Sequence, residues 1–149
     1  MQKTILMLLL MICSLGAVEI VKSETDNHKA IRETVDLMKK SGPIVLDSFT
    51  RIMSSKANYK NDSLSVIMEV SKHNLLKGIS KNANKEITVL SEKNKDILIS
   101  ILKRNTIHSS CMSFYEERNV SITINYYFLF KETNEKFYQL QVTKKDCKN

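Results

Sequence analysis

Apolar residues are spaced along this chain in three ways, and each spacing predicts a different element. The first is a nearly unbroken apolar run from Ile5 to Val18, preceded by Lys3 and carrying small residues at Ser14, Gly16, Ala17 and, beyond it, Ser23. The second is helical. Ile31, Thr34, Val35 and Met38 recur near the 3.6-residue period and predict a helix from about His28 to Lys40. Thr25 or Asp26 can cap its start. Ser41-Gly42-Pro43 ends it, because Gly42 tolerates the left-handed backbone past a helix end and Pro43 cannot continue the ladder. Ile97, Leu98, Ile101, Leu102 and Asn105 form a second stripe with one polar member, and predict the main core helix over 92–109 behind a cap at Ser91. Residues 73–85 are polar and rich in Lys and Asn, which suits a connection or a short helical turn.

The third spacing is alternation. Phe49, Arg51, Met53 and Ser55 fall on one face of an extended segment, with Thr50, Ile52 and Ser54 on the other. After the turn residues Lys60-Asn61-Asp62, Leu64, Val66, Met68 and Val70 alternate with Ser63, Ser65, Ile67 and Glu69. A β-hairpin of roughly 48–58 with 63–72 is expected, with a helix over 44–54 as the alternative for its first arm. The clearest alternation runs from Val120 through Ile122, Ile124, Tyr126, Phe128 and Phe130. It turns at Glu132-Thr133-Asn134-Glu135 and returns from Phe137 to Thr143, with Tyr138, Leu140 and Val142 on one face. The order α-ββ-α-ββ predicts an α+β fold: an antiparallel sheet of two β-hairpins packed against two helices.

The leading apolar run is too short for a membrane span, which needs about 20 residues. With its basic start and small residues it reads as a secretory signal peptide. The pattern places the cut after Ser23, with Gly16 and Ala17 as alternative sites. An uncleaved anchor is one rival, and lipidation of Cys13 is another, although Ile12 is bulky for a lipoprotein site. The expectation is a single exported domain over 24–149, periplasmic or secreted, that meets the membrane only through residues 1–23.

Two features of composition change this picture. The net charge of +7 admits nucleic acid, anionic lipid or an acidic partner. Yet the lysines are scattered among acids, and only Arg32, Arg51, Arg104 and Arg118 offer the guanidinium preferred for phosphate. A solvated basic surface is the simpler reading, so nucleic acid is not an expected partner. The cysteines matter more. Export leaves Cys111 and Cys147 as an even pair in an oxidising compartment, so a disulfide is expected, with free thiols as the alternative. It would close a loop of about 35 residues, worth roughly 3–4 kcal/mol in the chain-entropy model.

Catalytic chemistry finds little support. His28, His73 and His108 have no partner at metal-ligand spacing, and His108 is placed to stabilise the last carbonyls of the core helix. No Gly-x-Ser-x-Gly elbow or phosphate-cradling loop occurs, and Glu116, Glu117 and Asp146 are isolated acids. No catalytic residue, metal or cofactor is assigned. Phe128, Phe130, Phe137 and Tyr138 flank Lys131 and Lys136 and mimic a base-stacking platform, but a packed sheet face explains them more simply. Asn61 and Asn119 begin glycosylation sequons, relevant only in a eukaryotic source.

The segment around Leu46-Asp47-Ser48-Phe49-Thr50-Arg51-Ile52, a helix ending near a cysteine, Val120-Ser121-Ile122-Thr123-Ile124-Asn125-Tyr126-Tyr127 and Val142-Thr143-Lys144-Lys145-Asp146-Cys147 together form a pattern. It resembles small single-disulfide exported proteins of Gram-negative bacteria, among them a quorum-sensing-regulated virulence factor family. Thr133-Asn134-Glu135 replaces the Asp-Gly turn usual there. The resemblance covers residues 45–147, implies an exported domain without established catalysis, and carries over only the Cys111–Cys147 pair. Three functions follow as expectations. The first is a non-enzymatic periplasmic or secreted accessory protein, virulence-associated, that acts through a protein-binding surface. The second is a secretion-system pilotin or assembly chaperone holding a partner peptide in a groove or along a strand edge. The third is a small hydrolase or inhibitor with an unrecognised site.

Overall fold

The structure, a computed structural model, describes residues 24–147. The leader, Cys13 and the candidate cleavage sites at Gly16, Ala17 and Ser23 lie outside the described residues.

Helix α1 (Asp26–Ser41) starts where Thr25 accepts a hydrogen bond from the His28 amide at 3.2 Å. It stops at Gly42, whose φ of 66° only glycine adopts cheaply and whose amide donates to the Met38 carbonyl. Ala30, Ile31, Val35 and Met38 form its buried stripe. Two residues then pair as β1 (Ile44–Val45), and the first hairpin follows as β2 (Thr50–Asn58) and β3 (Ser63–Val70). A bulge at Met53 resets the alternation of β2. Ser54 therefore pairs with Ile67 instead of continuing the face of Thr50 and Ile52, and Ser55 and Ala57 take up that face opposite Val66 and Leu64. The second hairpin joins β4 (Thr123–Phe130) to β5 (Lys136–Val142).

The two hairpins assemble differently from the expected all-antiparallel sheet. The strand order is β1-β2-β3-β4-β5, and β3 runs parallel to β4, so the sheet is mixed. Parallel neighbours need a crossover of a dozen or more residues. Here it carries α2 (Lys72–Ala83) and α3 (Glu92–Ser110), one helix more than expected. Helix α2 occupies the segment read as a connection. It is capped by Ser71 and buries only Leu75 and Leu76, too little to produce a helical stripe in the sequence.

The parallel register sets Leu64 beside Ile124, Val66 beside Tyr126, Met68 beside Phe128 and Val70 beside Phe130. These residues, with Leu140 and Val142 of β5, Ile31 and Val35 of α1 and Leu98 and Leu102 of α3, make one core. Phe128 is fully buried at its centre, and a side chain of that size contributes about 1.5–3 kcal/mol. The apolar stripe read on α3 divides in two. Leu98 and Leu102 face the core, whereas Ile97 and Ile101 remain 50% and 39% exposed. Past Ser110 the helix widens into a π-turn (Cys111–Glu116) that buries Tyr115.

Candidate functional site

Between the C-terminal half of α3 and the β1–β2 connection, a groove of about 440 Å³ stays open. Ile52, Met68 and Tyr126 of three adjacent strands form its floor, Leu102 and Asn105 of α3 one wall, and Leu46 of the β1–β2 connection the other. Thr50 also lines it, and the buried Thr50 Oγ1 has no hydrogen-bond partner among the described residues. An apolar floor with a few polar groups at the rim suits a partly apolar segment of another chain. No group of three or more His, Cys, Asp or Glu that could hold a metal occurs among the described residues.

The frame of the groove is held by buried polar contacts. Tyr126 Oη and Ser110 Oγ share a hydrogen bond of 2.8 Å that joins strand to helix beneath the wall. Burial raises the Tyr126 pKa against the opposing effect of that bond, so the phenol stays neutral. Tyr115 Oη lies 2.9 Å from the Ile122 carbonyl and 3.0 Å from that of Val142, and its hydroxyl donates to this pair across the start of β4 and the end of β5. Desolvation raises its pKa as well. Cys111, in the π-turn, is disulfide-bonded to Cys147, with Cα atoms 5.4 Å apart. The residues before Cys147 are ordered by Asp146, whose carboxylate accepts from the Thr143 amide at 2.8 Å and hydroxyl at 2.9 Å. These bonds hold its pKa below the usual range.

The opposite end of the sheet has its own clamp. The Glu132 carboxylate, in the β4–β5 turn, accepts from the Ser71 hydroxyl and the Lys72 and His73 amides, each at 3.0 Å. It therefore caps α2 from outside the helix. Partial desolvation works against ionisation, but the bonds from His73, Lys72 and Ser71 prevail and lower its pKa to about 2.

The residues singled out for chemistry are dispersed. His28 Nε2 sits 2.9 Å from Asp62 Oδ1 and 3.1 Å from the Tyr59 carbonyl, which fastens α1 to the β2–β3 turn. Asn27 completes this link by donating to Asp62 and accepting from the Ser121 amide, both at 2.9 Å. His73 contributes only its backbone amide to the Glu132 clamp. His108 is exposed on the rim of the groove, in the last turn of α3. Glu116 lies in the π-turn and Glu117 just beyond it, both exposed. The aromatics that mimic a base-stacking platform pack on one another, as a packed sheet face requires: Phe128 against Tyr138 at 5.4 Å and Phe130 against Phe137 at 4.0 Å. Phe128 and Phe130 are buried and offer no free ring face. Asn61 and Asn119 are exposed, Asn119 with a φ of 50° and its side chain accepting from Lys144 at 2.9 Å.

No protein-family model matches the chain, and no curated protein matches it. Solved structures do. The pilotin EpsS from the type 2 secretion system of Vibrio vulnificus superposes with a TM-score of 0.50 at 6% identity, over 83% of this chain and 96% of that one. The type II secretion system pilotin AspS from Vibrio cholerae superposes with a TM-score of 0.50 at 13% identity, over 82% and 95%. The chain shares the fold of two pilotins. At these identities the likeness extends to the path of the backbone and to no individual residue.

The groove and the Glu132 clamp were both missing from the sequence reading. One signal for the groove was present: Asn105, the polar member of an otherwise apolar stripe, lines it. Glu132 carried no signal, because its three partners lie about 60 positions away.

Proposed function

We propose that this chain is an exported accessory module of the pilotin kind, which holds a peptide segment of a protein partner between α3 and the sheet. The observation that carries this reading is the open groove, lined by the exposed Leu46, the half-buried Ile52 and the edges of the buried Met68, Leu102 and Tyr126. The shared fold with two pilotins supports it. An apolar side chain of the peptide would enter the groove. Export by the segment 1–23 belongs to the same proposal, as does retention at a membrane if Cys13 is lipidated. No helix of the described residues is long and apolar enough to cross a membrane. The resemblance to the quorum-sensing-regulated virulence factor family fits the same surface-binding role and adds no site residue beyond the cysteine pair.

The test is site-specific photocrosslinking of the full chain in its native host. A benzophenone side chain at Ser109, on the rim, should capture one defined protein. The same probe at Lys56, outside the groove, should not. Asn105→Trp, which fills the groove, should abolish the adduct. Equal labelling from both positions, or an adduct indifferent to Asn105→Trp, rejects the reading.

A further inference from the structure

Helix α3 has a second apolar face that the groove does not use. Ile97 and Ile101 remain substantially exposed, and with Asp96, Ser100 and Arg104 they line a shallow depression on the outside of the helix. At 100° per residue these positions fall within one sector of the helix, opposite Leu98 and Leu102. Neither Asp96 nor Arg104 takes part in an ion pair among the described residues.

We propose that this face is a homodimer contact, in which α3 packs antiparallel on α3 of a second copy about a two-fold axis through Ser100. The spacing of the charges selects this partner. Asp96 and Arg104 lie four residues before and four after Ser100, about 6 Å along the helix in each direction. A two-fold axis at Ser100 reverses the second helix, so Asp96 of each copy stands level with Arg104 of the other. Two reciprocal ion pairs form. Both isoleucines lie toward the other flank of the sector, at heights that interleave with those of the second copy, and the four side chains close into one apolar cluster. The small Ser100 at the crossing point lets the helices approach. A parallel pairing would set Asp96 against Asp96 and Arg104 against Arg104. The patch is thus self-complementary in one orientation only, as an isologous contact requires. The area is small and the chain's net charge of +7 opposes association, so the dimer is weak and concentration-dependent.

Sedimentation equilibrium of the mature chain, from micromolar to millimolar concentration, tests the contact. The wild type should show a reversible monomer–dimer equilibrium. Asp96→Arg and Arg104→Asp should each weaken it by at least about tenfold, since each sets like charges face to face. Mixing the two single variants should restore association as a heterodimer, and the double variant D96R/R104D should dimerise again. I97S/I101S should be monomeric with an unchanged circular dichroism spectrum. A monomer throughout the range overturns the proposal. So does a dimer that ignores charge reversal, or a mixture of the two variants that fails to associate.

Discussion

Replacing Glu132 by Gln removes a single negative charge and leaves the size of the side chain unchanged, which isolates the clamp between the β4–β5 turn and α2. Its carboxylate accepts three hydrogen bonds at the N-terminus of a 12-residue helix. Gln keeps one acceptor oxygen and loses both the charge and its attraction to the helix dipole. The fall in pKa from 4.5 to about 2 would correspond to roughly 3 kcal/mol if fully expressed as stability. The side chain is exposed, so water screens these bonds, and about 1–2 kcal/mol is the expected loss at pH 7. The pH dependence gives a second signature. The folded pKa is depressed, so the unfolded chain takes up the proton first. The stabilisation is complete above about pH 4.5 and fades as the pH falls toward 2. Urea unfolding of both proteins at several pH values checks this. The gap between wild type and Glu132→Gln should be largest near neutrality and shrink toward pH 2, while the amides of Lys72 and His73 exchange faster in the variant. A gap that is the same at pH 7 and pH 2.5, or absent at pH 7, would refute the charged clamp.

Two further outcomes concern the opposite end of the sheet. Replacing both Cys111 and Cys147 by Ser opens a loop of 36 residues in sequence separation and should cost about 3–4 kcal/mol in chemical denaturation, with little change in the far-ultraviolet spectrum. Tyr115→Phe removes the hydroxyl that serves the Ile122 and Val142 carbonyls, and should cost about 1–3 kcal/mol without altering the disulfide; a loss within error would mean that water takes its place.

What could be read from the sequence follows from how far each signal reaches along the chain. Both hairpins, the caps at Thr25 and Ser91 and the stop at Gly42 depend on neighbours within a few residues, and the structure has them close to the expected bounds. The direction of β3 against β4 does not. Leu64, Val66, Met68 and Val70 would alternate identically in a parallel or an antiparallel pair, and the crossover that decides between them was half hidden in the polar run of α2. The bulge at Met53 was equally silent, because one extra residue in an alternating strand leaves the composition unchanged. The stripe of α3 misled for a different reason. Four apolar residues at 97, 98, 101 and 102 cover more of the helix than one sheet can bury, so a continuous stripe in the sequence becomes two faces in the fold. Leu102 borders the groove and Ile97 and Ile101 border the outer depression. An excess of apolar residues on a core helix is thus itself a sign of surface reserved for binding. On α3 this surplus supplies both proposed contacts. The two linings are neighbours on the helix, since Asn105 of the groove lies one turn beyond Ile101 of the outer depression.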